Sequence, residues 1–117
     1  MQKATDAGIN AACPGNTVAD LFHAQVNAIR AEGIIPATQG RYGHGLGLTL
    51  TLTLTEWPSN AAHDETPLRP GMMMTVEPGI AYGEGKVMVH EENLVITEDG
   101  REFLSRRGAP ELPVIGW

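Results

Sequence analysis

Residues 72–79 read Met72-Met73-Met74-Thr75-Val76-Glu77-Pro78-Gly79, and this stretch decides how the rest of the chain is read. Met72 to Val76 predicts a short apolar strand, stopped where proline removes a donor from the ladder. Side chains alternate along a strand, so Glu77 shares its face with Thr75 and Met73. A carboxylate at the end of such a strand either points to water or needs a cation, a donor or a proton to offset its desolvation.

Working downstream, Lys86 to Thr97 predicts one further strand, Glu98-Asp99-Gly100 a turn, and Arg101 to Ser105 an antiparallel return. Three ionisable residues, His90, Glu91 and Glu92, stand together inside that apolar strand. Alternation groups Glu91 with Val87 and Val89, and Glu92 with Met88 and His90. Spacing alone does not choose between the two glutamates.

Upstream, residues 60–71 form a polar loop with Pro67, Pro70 and Gly71. Before it, Leu48 to Thr55 is a strict Leu-Thr alternation, repeated four times, which predicts a strand with leucines on one face. Glu56-Trp57-Pro58-Ser59 is expected to end that strand. A glycine-rich stretch, Gly40-Arg41-Tyr42-Gly43-His44-Gly45-Leu46-Gly47, leads into it. Further back, Val18, Leu21, Phe22, Val26 and Ile29 recur at helical spacing, with Asn16 or Thr17 as N-cap, Asp20 in the first turn and Glu32-Gly33 at the end. Residues 1–12 read as the end of an earlier helix, stopped by Cys13-Pro14-Gly15. Helices followed by a run of antiparallel strands give an α+β fold.

The 117 residues fit one small unit, with residues 106–117 as a loosely packed tail. Only 5% of the residues are aromatic, so the core must lean on Leu, Ile, Val, Met and Ala. A net charge of −6 without a basic stripe argues against nucleic acid or an anionic membrane as the partner. Cys13 is the single cysteine, so an intramolecular disulfide is excluded and a reducing compartment is expected. Beside Pro14-Gly15 it reads as a small buried hydrophobe. The first residues carry no apolar leader segment and no apolar run is long enough to span a bilayer, so a cytoplasmic location is expected.

Chemistry narrows to a few side chains. Gly43-His44-Gly45 is built to aim one imidazole, since glycines allow close approach and positive φ. Together with Glu77 and one of the glutamates at 91–92, His44 makes a mixed nitrogen and oxygen donor set suited to Zn, Mn, Co or Fe. The compact zinc spacings, phosphate-loop spacing and nucleophile-elbow setting are all missing.

Taken in order, three segments resemble the pita-bread-fold metallopeptidases, the family of Xaa-Pro aminopeptidase, prolidase, methionine aminopeptidase and the metal-free creatinase. They are Gly43-His44-Gly45-Leu46-Gly47, then Leu68-Arg69-Pro70-Gly71-Met72 running into Thr75-Val76-Glu77-Pro78-Gly79, then Val89-His90-Glu91-Glu92-Asn93-Leu94-Val95-Ile96-Thr97. The resemblance covers nearly the whole chain and places it in the C-terminal half of that catalytic domain. It implies that His44, Glu77 and Glu91 are metal ligands, with Glu91 the glutamate that bridges two ions and Glu92 its neighbour. It further implies hydrolysis of a peptide or small amide near an N-terminus by a two-metal activated water, with His44 and Glu77 serving catalysis and Glu77 helping to move the proton.

Two departures qualify this. The family's site takes two aspartates from upstream of the histidine, and here only Asp6 and Asp20 precede His44, both in expected helices. The chain thus resembles a truncated form, weakly active or inactive, that holds one ion or none. The histidine that many relatives carry seven residues after the ligand histidine is replaced by Thr51, inside the Leu-Thr repeat. Whether the chain is an enzyme by itself stays open. Other readings are a non-catalytic peptide- or protein-binding module and a creatinase-like hydrolase of C–N bonds. Beyond a substrate, the expected partners are a second copy or the absent N-terminal half.

Overall fold

The computed structural model describes residues 1–38, 41–46 and 56–116, with Glu56 described by its backbone alone. The strand expected over 48–55 lies outside the described residues, as do Gly40 and Gly47. Among the described residues two helices, α1 (Gln2–Ala11) and α2 (Val18–Ala31), precede seven strands: β1 (His44–Gly45), β2 (Glu56–Ser59), β3 (Met73–Val76), β4 (Gly79–Gly83), β5 (Lys86–Val89), β6 (Glu92–Thr97) and β7 (Gly100–Phe103). Neither helix is long and apolar enough to cross a membrane.

Local chemistry sets the helix ends where the sequence puts them. Thr17 and Asp20 form a reciprocal capping box, the Thr17 side chain accepting from the Asp20 N–H and the Asp20 carboxylate accepting from the Thr17 N–H. Two further first-turn donors find partners in the 60–71 loop: Val18 N–H donates to the Thr66 carbonyl at 2.9 Å and Ala19 N–H to the Asp64 carbonyl at 2.7 Å. At the end of α1, Asn16 Nδ2 donates to the Ala11 carbonyl at 2.8 Å. Cys13 is half-buried rather than buried, with Asn16 Nδ2 3.4 Å from its sulfur, and Ala12 occupies the core position instead.

Five strands form one antiparallel sheet in the order β2-β1-β3-β6-β7, and β4 and β5 form a separate pair. Met74 and Val76 of β3, with Leu94 and Ile96 of β6, face the helices and close a core with Ile9, Val18, Leu21 and Leu68. A second cluster joins Val26 and Ile29 of α2 to Ala4 and Tyr42. The core is therefore mainly aliphatic, with Met74 and Tyr42 among it, as the low aromatic content requires.

Two strand expectations need correction. Residues 56–59 do not end a strand but form one, β2, which pairs with β1 at the sheet edge. Proline is tolerated there because, among the described residues, β2 has ladder partners on one side only. Lys86 to Thr97 is not one strand but two, broken at His90-Glu91, and residues 79–83 form an additional strand opposite the first of them. The break mirrors Pro78 on the facing strand, which has no N–H to give.

The register is the same on both sides of that break. Val76 stands opposite Glu92 in one sheet, and Gly79 stands opposite Val89 in the other. The four strands are thus two long paired strands, interrupted for two residues on each side. Within the gap, continuous register sets Glu77 opposite Glu91.

Candidate metal centre

His44 sits on the shortest strand, wedged between β2 and β3. Gly43 adopts φ 140°, and a side chain there would collide with the Thr75 carbonyl and the Asn60 amide. At Gly45 a Cβ would lie 2.5 Å from the Trp57 carbonyl oxygen. Both glycines beside His44 are required by the closeness of neighbouring backbones, and the imidazole is aimed by that confinement.

The ring itself is fixed at one nitrogen. Nδ1 lies 2.7 Å from the Gly45 carbonyl oxygen. A carbonyl can only accept, so Nδ1 carries a proton and Nε2 is the nitrogen turned to the site. Nε2 stands 2.9 Å from Glu77 Oε1. That carboxylate oxygen also accepts from Thr75 Oγ1 at 2.8 Å. Both side chains are mostly enclosed, each 16% exposed.

Glu91 completes the cluster from the far side of the gap. One donor atom each from His44, Glu77 and Glu91 lies within 4.8 Å of the others. Opposed carboxylates on paired strands repel. The residue as a whole is exposed, yet local burial of the Glu91 carboxyl raises its pKa. The Glu77 charge and a hydrogen bond with Glu77 push the same way, while His44 opposes them. Two donors bound to one ion at about 2.0–2.2 Å stand no more than about 4.4 Å apart, so these three would need only small side-chain movements to hold a cation. An imidazole nitrogen and two carboxylates suit Zn, Mn, Co or Fe, and a cation there removes the repulsion that otherwise loads Glu91.

Glu92 goes the other way. It is 2% exposed on the helix side of the sheet, accepts from the Gly108 N–H at 2.9 Å, and lies 3.6 Å from His90 Nε2. His90 in turn meets Thr5 Oγ1 through Nδ1 at 3.0 Å. What alternation left open, the strand gap decides: Glu91 joins His44 and Glu77, and Glu92 does not.

The other described aspartates near the N-terminal half are engaged elsewhere. Asp6 pairs with Arg107, Asp20 caps α2, and Asp64 accepts from Ser59 and Thr66. Sequence reasoning missed Thr75, Asn60, Gln25 and the Tyr42 carbonyl as supports of the site. That carbonyl accepts from Gln25 Nε2, Asn60 Nδ2 and the Glu77 N–H, tying α2, the end of β2 and the end of β3 to one point. The Thr75-x-Glu77 spacing carried a signal, because strand alternation puts the two on one face. Asn60 lay in a stretch read as polar loop, and nothing local marked it as fully buried.

Comparison with known proteins places the family and the fold. Residues 1–99 match metallopeptidase family M24. The chain is 34% identical over 105 residues to the Xaa-Pro dipeptidase of Pyrococcus horikoshii, which covers 89% of this chain and 28% of that protein. Among solved structures, the prolidase from Pyrococcus furiosus superposes with a TM-score of 0.76 at 31% identity, covering 92% of this chain and 31% of the other. The X-Pro aminopeptidase from Thermotoga maritima gives a TM-score of 0.76 at 31% identity, with 92% and 29% covered. The chain therefore spans less than a third of the length of these relatives.

Proposed function

The chain belongs to metallopeptidase family M24 and carries part of its pita-bread fold, and from that premise we propose that His44, Glu77 and Glu91 are the metal-binding share of an Xaa-Pro-type peptidase site. The observation that carries this reading is the placement of two carboxylates opposite one another in a strand gap, with an imidazole nitrogen 2.9 Å from one of them. A divalent ion held there would act as a Lewis acid and acidify a water at neutral pH.

The protein's own groups supply the rest. His44 presents Nε2 in a fixed direction because Gly45 holds Nδ1. Glu77, next to a hydroxyl donor and an imidazole, is placed to take a proton from an attacking water and pass it to a leaving amine. Substrates are peptides with a short N-terminal side, by analogy with relatives named as Xaa-Pro dipeptidase and X-Pro aminopeptidase. The single cysteine supports a reducing, cytoplasmic setting.

Three donors are fewer than a two-metal site uses. We therefore assign to these 117 residues a half-site that holds about one ion weakly and turns over little substrate by itself. Two further carboxylates would have to come from polypeptide other than these residues. Titration calorimetry with Mn²⁺, Co²⁺ or Zn²⁺ tests the assignment: uptake should vanish in Glu91→Ala and persist in Glu92→Gln. Unchanged uptake in Glu91→Ala would sink the ligand set, and robust cleavage of an Xaa-Pro dipeptide by these residues alone would sink the half-site. A second reading, a peptide-binding module without catalysis, is favoured by the engagement of Asp6, Asp20 and Asp64 in structural roles. It expects tight peptide binding that ignores added metal.

A further inference from the structure

We propose that Thr75 is the positioning residue of the metal centre, its hydroxyl fixing both the backbone of His44 and the carboxylate of Glu77. The inference rests on the metal-binding reading above and adds to it a group that touches neither ion nor substrate.

Thr75 Oγ1 accepts from the His44 N–H at 2.8 Å and lies 2.8 Å from Glu77 Oε1. An amide N–H can only donate, so the direction is settled. The hydroxyl accepts from His44 and spends its one proton on Glu77. Since Glu77 Oε1 is also the oxygen 2.9 Å from His44 Nε2, the contacts close into a ring that begins and ends on His44. The ring ties the imidazole to its own backbone through two other residues. It also makes the two oxygens of Glu77 unequal, because Oε1 carries a donated hydrogen bond.

Thr75 is itself held still. It is fully buried, its carbonyl accepts from Asn60 Nδ2 at 3.1 Å, and it stands opposite Asn93 in the β3–β6 ladder. Water cannot replace a hydroxyl in that position. Partners that orient ligands in this way commonly govern metal affinity about as strongly as a tenfold to hundredfold change.

The test compares the chain with Thr75→Val, which keeps shape and removes the hydroxyl, and Thr75→Ser, which keeps the hydroxyl. In metal-free protein, amide exchange at His44 and the nitrogen shifts of its ring are followed by NMR. Thr75→Val should exchange about tenfold faster at His44 and shift the Nε2 resonance that faces Glu77, while Thr75→Ser keeps both and the Gly45 carbonyl keeps the Nδ1 proton in all three. With Co²⁺ as probe, Thr75→Val should bind about tenfold or more weakly and Thr75→Ser about as the parent does. Ile96→Val, in the core, is the control: it should lower Tm yet move neither readout. Parent-like His44 exchange and Co²⁺ affinity in Thr75→Val overturn the proposal. Absence of Co²⁺ binding by the parent would overturn the metal reading, and the metal-free NMR still decides Thr75. If Thr75→Val does not fold, an unprotected His44 amide in the parent and Thr75→Ser overturns the proposal instead.

Discussion

Glu91 is loaded in the metal-free protein. Its pKa is raised by burial, then by the charge of Glu77, with His44 opposing. A carboxyl whose folded pKa lies above its unfolded value holds its proton longer in the native state, so the native state binds more protons across that window. Stability is therefore lost as pH rises from the ordinary carboxyl value, 4.5, through the raised one. Replacing Glu91 by Gln should raise the Tm of the metal-free chain at neutral pH and flatten this loss, while abolishing metal uptake. Scanning fluorimetry across pH reads the first effect and calorimetry the second. A lower Tm for Glu91→Gln at neutral pH would contradict the carboxylate repulsion. At this scale the sequence was half legible. His44 and Glu77 stood out because glycines and a proline mark them. Alternation left Glu91 and Glu92 open and the family resemblance pointed to Glu91; the register of a facing strand, which is long-range information, is what sets it opposite Glu77.

At the scale of elements, α2 depends on a loop far away in sequence. Its N-terminus is capped by Thr17 and by carbonyls of Thr66 and Asp64. Thr17→Ala should cost about 1 kcal/mol by urea denaturation. Asp64 organises the loop. Burial raises its pKa, but hydrogen bonds from the Thr66 side chain and backbone and from the Ser59 N–H, with His63 nearby, outweigh burial and hold it below 3.8. A lowered carboxyl contributes stability above its unfolded pKa and loses it as pH falls through the folded one. Asp64→Asn should thus destabilise the chain at neutral pH, with the difference closing as pH falls through the lowered carboxyl value. Helix ends and the Glu98-Asp99-Gly100 turn were legible because caps and turns are local chemistry. The split of residues 86–97 was not, since an apolar run with period two looks the same whether it crosses one sheet or two.

For the whole molecule, stability rests on two modest clusters, the larger of them aliphatic and set between helices and sheet. Leu94 is fully buried at its centre. Leu94→Ala should cost about 2–5 kcal/mol, a large share of what a domain of this size has to lose, and is expected to leave it largely unfolded by circular dichroism at 37 °C. Bound metal adds stability through the native state alone, so Co²⁺ should raise Tm in the parent and have no effect on Glu77→Ala. An unshifted parent would mean the three donors do not act together.

The shared register of β3–β6 and β4–β5 carries a consequence for how such proteins tolerate insertions and deletions. The separation of Glu77 from Glu91 is not set by a loop but by the spacing of paired strands, about 4.7–4.9 Å, as a gauge is set by its rails. The register already shifts between Ala81 and Gly83, next to the hairpin tip, so length changes from there to the tip are absorbed before they reach the site. One residue gained or lost between Gly79 and Ala81, or between Val87 and Val89, has no such outlet. It would slip the rails by a step, carry Glu91 away from Glu77 and turn its side chain to the opposite face. Lineages of this fold should accordingly vary at the tip and keep constant count along the four strand segments.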